Sequence, residues 1–203
     1  MNPPASSLVP LSAIVAARSR LSGAIIRTQC VESAALSELT GARIFCKQEH
    51  LQRTGSFKER GARNALAQLT PEQAKQGVIA ASAGNHALGL SWHGRALNIP
   101  VTVVMPRFAP LVKVARCRQF GANVVLHGDT FDEARSEAVR LTAERQLTYV
   151  HPFDDPQVIA GQGTLAFELL EQVPDAEAVI VPVGGGGLLA GVATVLHALK
   201  PDL

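Results

Sequence analysis

An α/β fold, in which a mostly parallel twisted sheet is covered by helices on both faces, is what this sequence predicts, and three observations predict it. Short apolar runs rich in β-branched residues alternate with stretches of helical spacing along the whole chain. Pro or Gly marks most of the boundaries between them. Three turns, "TGSFK", "SAGNHA" and "GGGG", each stand where a strand hands over to a helix. In such folds ligands bind where loops leave the carboxyl ends of strands, so function is expected at these turns.

Taken in order, "RIFCKQE" (43–49) is the first strand and leads to a helix over 57–69. "VIAA" (78–81) leads to a helix over 86–97, "VTVVMP" (101–106) to 110–119, and "NVVLH" (123–127) to 130–146. "TYVHP" (148–152) precedes a helix over 157–172, and "AVIVPVG" (178–184) one over 187–199. The adjacent acids Asp154 and Asp155, with Pro156 after them, read as a helix start rather than a catalytic pair. His127 and His151, at strand ends, are given structural roles, and Trp92 and Phe120 are given packing roles. No internal repeat or Ser/Gly-rich linker divides the chain. The organisation expected is therefore a large domain of residues 1–74 plus 151–203, with a smaller α/β domain, 75–150, inserted into it. The sequence stops at "ALKPDL" directly after the last helix, where a doubly wound sheet would continue, so the large domain is expected to be incomplete at its C-terminus.

The chain has 203 residues, 19 Lys and Arg against 17 Asp and Glu, and 47% apolar residues. That is enough for one large domain or two small ones. Basic and acidic side chains are interspersed, so no patch is offered to nucleic acid. The start, "MNPPASSLVP", lacks a basic segment followed by an apolar one, and no run of about 18 apolar residues occurs. A cytoplasmic protein without a membrane partner is expected. Cys30, Cys46 and Cys117 are odd in number and lack close paired spacing, which gives neither a zinc motif nor a disulfide framework. Buried, reduced thiols and no metal are expected.

The three turns carry the chemistry. Gly184, Gly185, Gly186 and Gly187 put no side chain in the way of an oxyanion, and the helix starting near Leu188 adds its dipole. A phosphate is the natural guest. Gly185, Gly187 and Ala190 also fit the weak G-x-G-x-x-G/A dinucleotide pattern, whereas no Lys-Ser or Lys-Thr follows to make a Walker loop. Ser82, Asn85 and His86 offer donors at the opening of a helix and suit a carboxylate; taken singly, Ser82 or Asn85 is more often a helix cap than a ligand, and His86 more often a satisfied polar residue. Lys58 sits in a first helical turn, where the dipole disfavours a cation. A partly desolvated amine in that place has its protonated form disfavoured, which makes it a better nucleophile and base. A phosphate cradle, a carboxylate nest and an activated lysine together describe pyridoxal phosphate with an amino-acid substrate.

Four motifs then occur in order: "LQRTGSFKERGARNAL", "ASAGNHALG", "HPFDDPQVIAGQGT" (151–164) and "VPVGGGGLLAGVA". In these the sequence resembles the fold-type II pyridoxal-phosphate enzymes, and within them the threonine/serine dehydratases. The resemblance implies that Lys58 carries the cofactor in Schiff-base linkage, that Phe57 packs near its ring and that Asn85 hydrogen-bonds the ring hydroxyl. Gly184 to Gly187, with Leu188, would hold the phosphate. Ser82, Ala83 through its backbone, Gly84, Asn85 and His86 would receive the substrate carboxylate. Gly84-Asn85-His86 is similar to the dehydratase and serine-racemase pattern rather than the Gly-Asn-Thr of cysteine and threonine synthases. Racemases typically carry Ser where Ala83 stands, and members commonly have Gln where Leu88 stands.

The implied activity is conversion of L-threonine or L-serine to 2-oxobutanoate or pyruvate plus ammonia, in a homo-oligomer, dimer or tetramer, of the full-length form. The alternatives left open are a serine/threonine racemase-like enzyme and an inactive fragment lacking the C-terminal half. A nicotinamide-binding enzyme leaves Lys58 and the Asn-His loop without a role.

Overall fold

The computed structural model describes residues 9–203. Residues 1–8, the start of the stretch read as part of the large domain, lie outside the described residues. In chain order the elements are α1 (Leu11–Leu21), β1 (Cys30–Glu32), α2 (Ala34–Thr40), β2 (Phe45–Lys47), a 3-10 turn (Glu49–Leu51), α3 (Lys58–Leu66), α4 (Pro71–Gln76) and β3 (Val78–Ala81). There follow α5 (Asn85–Leu97), β4 (Val101–Met105), α6 (Leu111–Gln119), β5 (Asn123–Leu126), α7 (Phe131–Arg145), β6 (Thr148–Tyr149), α8 (Pro156–Gln172) and α9 (Gly187–Leu199).

The helix ends follow from short-range chemistry. Thr70 and Thr130 open α4 and α7 with capping boxes closed by Gln73 and Glu133, satisfying otherwise orphaned N–H groups from both sides. Asp155 opens α8, its carboxylate accepting from Gln157 and Val158 N–H with Pro156 at the first helical position. The Asp154-Asp155-Pro156 run is thus a helix start, as the sequence implies. At the other end, α5 and α7 stop at Asn98 and Gln146, both left-handed at φ 56° and 53°.

Four strands form one parallel sheet in the order β5-β4-β3-β6. Its strands alternate faces with a period of two. Val78, Ala80, Val101, Val103 and Met105 pack with residues of α3, α5 and α6, including Ala62, Leu66, Leu88, Leu90, Val114 and Cys117. Ile79, Ala81 and Val104 pack on Ala134, Ala138 and Leu141 of α7. All four strands come from residues 78–149, inside the stretch read as an insertion. From β3 the chain moves outward to β4 and β5, then returns through α7 to β6 on the other side of β3. The reversal lies between β3 and β6, and the loops at their carboxyl ends, 82–84 and 150–155, flank it.

A second apolar cluster joins α1, α8 and α9 through Ile14, Ala17, Leu165, Ala166, Phe167, Leu188, Val192 and Val195. Here main chains nearly touch. A Cβ on Gly161 would lie 2.5 Å from Arg60 O and 2.6 Å from Gly61 Cα, and one on Gly163 would lie 2.8 Å from Gly191 O. α8 is therefore pressed, backbone to backbone, against both α3 and α9. The fully buried Arg60 clamps the first contact, donating to Glu49 at 2.7 Å and to Glu168 at 2.6 Å, while Lys47 donates to Glu168 at 2.6 Å.

Two expectations are corrected. The strand expected at 43–49 is confined to Phe45–Lys47 and pairs antiparallel with Cys30–Glu32, apart from the parallel sheet. The strand expected at 178–184 is not formed. Its alternating apolar residues have strand character, but a strand exists only in a ladder, and among the described residues no neighbour pairs with it. Ile180 is 92% exposed and Val183 60%. The helices α1, α2 and α4 and the strand β1 add to what the sequence reading expects. Among the described residues no helix is long and apolar enough to cross a membrane, and the three cysteines are unpaired.

Candidate functional site

Lys58 is the first residue of α3, and the turn before it is held by the helix it opens. Thr54 N–H donates to the Glu59 carboxylate, Ser56 Oγ accepts from Lys58 N–H at 3.4 Å, and Gly55 takes φ +81°, a conformation costly to a residue with a Cβ. The half-buried ammonium of Lys58 lies 5.3 Å from the Phe57 ring centroid and donates to Pro152 O at 2.6 Å. Burial lowers its pKa from the ordinary lysine value. Among the described residues no carboxylate is paired with it to offset that effect.

The loop between β3 and α5 is built from its backbone. Ser82 N–H continues the ladder to Val104 O at 3.1 Å, and Ser82 Oγ accepts from Gly84 N–H at 3.3 Å. Gly84 is the residue at the helix start, so neither Ser82 nor Asn85 caps α5 with its side chain. Ala83 packs against the core, and Leu88 is fully buried there, leaving no polar contact where a Gln is common. Asn85 is exposed, with its Oδ1 accepting from Lys113 Nζ at 2.7 Å.

His86 is buried, with Nε2 3.2 Å from Val150 O. A carbonyl only accepts, so Nε2 carries the hydrogen and Nδ1 keeps its lone pair. Burial first, and then the charge of Lys58, push the His86 pKa down to about 3. The imidazole is neutral and has no spare ring donor. What His86 can offer a carboxylate is its backbone N–H.

The third turn leads into α9. Gly186 takes φ +86° immediately before the helix, and Gly184 and Gly185 are exposed. The first-turn N–H groups of α9, including that of the buried Leu188, have no intrahelical acceptor. Gly185 and Gly187 lie flush on Phe153: a Cβ on Gly185 would be 2.2 Å from the ring, and one on Gly187 would be 2.5 Å from Phe153 O.

One short segment touches all three turns. Val150 meets His86, Pro152 meets Lys58, and Phe153 meets Gly185 and Gly187. Residues 58, 86 and 185, far apart in the chain, are therefore gathered along four consecutive residues. The motif at 151–164 contains Pro152 and Phe153 but gives them no role as site residues, because they act through a carbonyl oxygen and a ring face. Sequence reasoning missed Lys113 and Glu59 as well; their spacing from Asn85 and Thr54 has no local signature.

Compared with protein families, residues 21–203 match the model described as "Pyridoxal-phosphate dependent enzyme". The chain belongs to the pyridoxal-phosphate dependent enzymes. Within them it is 48% identical over 196 residues to the L-threonine ammonia-lyase of Thermotoga maritima, a match covering 97% of this chain and 49% of that protein. Among solved structures it is similar to the processed form of threonine deaminase isoform 2 from Solanum lycopersicum, with a TM-score of 0.90 and 42% identity over 94% of this chain and 53% of that one. It is also similar to a serine racemase from Dictyostelium discoideum, with a TM-score of 0.91 and 39% identity over 97% of this chain and 64% of that one. The chain spans about half the length of the curated relatives it matches.

The residues present fit the cofactor of this pyridoxal-phosphate dependent family. Lys58 supplies a half-buried amine of lowered basicity, and Phe57 supplies an apolar face beside it. The exposed glycines and unpartnered first-turn amides of α9 supply donors for a phosphate without side-chain obstruction.

Proposed function

We propose that this chain carries the lysine, the phosphate turn and the carboxylate loop of an enzyme that converts L-threonine or L-serine to 2-oxobutanoate or pyruvate and ammonia. The observation that carries the reading is the convergence of Lys58, His86 and the glycine turn on residues 150–153. The relatives named as threonine ammonia-lyase and threonine deaminase support it. Pyridoxal phosphate, when bound, supplies an electrophilic carbonyl and an electron-accepting ring. Gly184 to Gly187 and Leu188 would hold its phosphate through backbone N–H groups, and Phe57 and Asn85 would contact its ring.

Lys58 moves the proton. Its depressed pKa raises the fraction of neutral amine able to take the α-hydrogen of the substrate, and Pro152 O keeps the Nζ hydrogens oriented so that the lone pair faces away from that carbonyl. The substrate carboxylate would lie on the backbone N–H groups of Ala83, Asn85 and His86, aided by Ser82 and Gly84, at the amino end of α5. Residues 75–150, which bear this loop, form the smaller of two domains in this reading.

Ala83 bears on the racemase alternative. Its methyl group has no proton to return to the α-carbon, so elimination is favoured over inversion. In the full-length protein, Lys58→Ala is expected to lower ammonia release from L-threonine by about 10³-fold, within the usual range for a general base. Turnover at the unsubstituted rate would refute the role of Lys58, and D-amino acid in place of 2-oxo acid as the main product would select racemisation.

A further inference from the structure

Lys113 stands in the first turn of α6, where the helix dipole disfavours a cation and no acid accompanies it. Among the described residues no carboxylate lies within ion-pair distance of it. Its ammonium is spent instead on an amide, donating to Asn85 Oδ1 at 2.7 Å across from α6 to the amino end of α5. An ammonium has only donors, so the amide must turn its oxygen toward Lys113. The Nδ2 group, on the opposite branch of the same planar amide, is then directed away from Lys113, and among the described residues it has no acceptor.

We propose that Lys113 is a positioning residue that fixes Asn85 as a hydrogen-bond donor to the ring oxygen of pyridoxal phosphate. This rests on Asn85 being a cofactor ligand. An exposed asparagine is otherwise free to rotate its amide, and one of its two orientations would set a carbonyl oxygen against an anionic ring oxygen. The ammonium removes that orientation. Lys113 thus acts on the cofactor through Asn85, and its effect vanishes when Asn85 has no amide to orient.

The test is a double-mutant cycle read on cofactor affinity rather than turnover. The dissociation constant of pyridoxal phosphate is measured by equilibrium dialysis for the full-length protein and for Lys113→Met, Lys113→Arg, Asn85→Ala and the Lys113→Met/Asn85→Ala pair. Lys113→Met is expected to weaken binding about 3- to 10-fold, the scale of one hydrogen bond. Lys113→Arg, which keeps a cationic donor, restores most of it, and in the Asn85→Ala background Lys113→Met has no further effect. An equal loss in both backgrounds would overturn the proposal, because the charge would then act without Asn85, as would no loss in the single variant. Unchanged affinity in Asn85→Ala would remove Asn85 from the cofactor site and the proposal with it.

Discussion

At the scale of single residues, His86 links the site to proton binding. Its pKa falls from the ordinary 6.5 to about 3 on folding, through burial and then the charge of Lys58, so the unfolded chain binds the proton more readily. The stability contributed is present above the unfolded pKa and is lost progressively as pH falls from there toward the folded value. His93 and His151 are lowered in the same direction by burial, so His86 supplies part of the slope and not all of it. His86→Gln is expected to make the fall of melting temperature with acidity shallower across that window, followed by circular dichroism. A slope identical to that of the unsubstituted protein would mean His86 is protonated in the fold. Lys58 was readable in the sequence because a cation in a first helical turn contradicts helix electrostatics. The neutral state of His86 was not readable, since it comes from burial and from the charge of Lys58, a residue distant in the chain.

At the scale of elements, α8 decides where α3 and α9 lie. Gly161 admits the main chain of α3, and a methyl group there would press on Arg60 O and Gly61 Cα, neither of which can swing aside as a flexible side-chain tip would. Gly161→Ala is expected to destabilise the protein by about 1–3 kcal/mol, the usual cost of forcing bulk into a packed contact, measured by urea unfolding. Stability unchanged within error would show that α3 yields there. The helices following the three turns were legible from apolar periodicity and Pro or Gly boundaries, and the sheet strands from β-branched runs. The glycines of α8 were legible only as part of a familiar motif; their work is done against another helix, and the sequence does not record which. The 178–184 segment misled for a related reason, since its alternation is that of a strand but pairing is a property of two segments.

At the scale of the whole molecule, order is uneven. Parallel strands β3 and β4 are buried on both faces, while residues 178–183 form no strand and pair with none among the described residues, with Ile180 and Val183 exposed. Backbone N–H groups without a ladder partner exchange through small local fluctuations, whereas buried central strands exchange only on extensive opening. In the 203-residue chain, hydrogen exchange followed by mass spectrometry is expected to label 178–183 orders of magnitude faster than 79–81. Comparable protection in the two segments would mean that another surface covers the first in solution.

The near-contact of α8 with both neighbours has a further consequence. Main-chain atoms, with a few side chains such as Gln162 and Ile14 beside them, set the gaps from α8 to α3 and to α9, so on the proposed reading sequence drift elsewhere has little leverage over how the vitamin is held. The loop proposed to receive the substrate's acid group lies at the rim of the parallel sheet and is outside that backbone constraint. Grip and taste can therefore evolve apart, and a descendant of this scaffold could adopt another amino acid without learning anew how to carry its coenzyme.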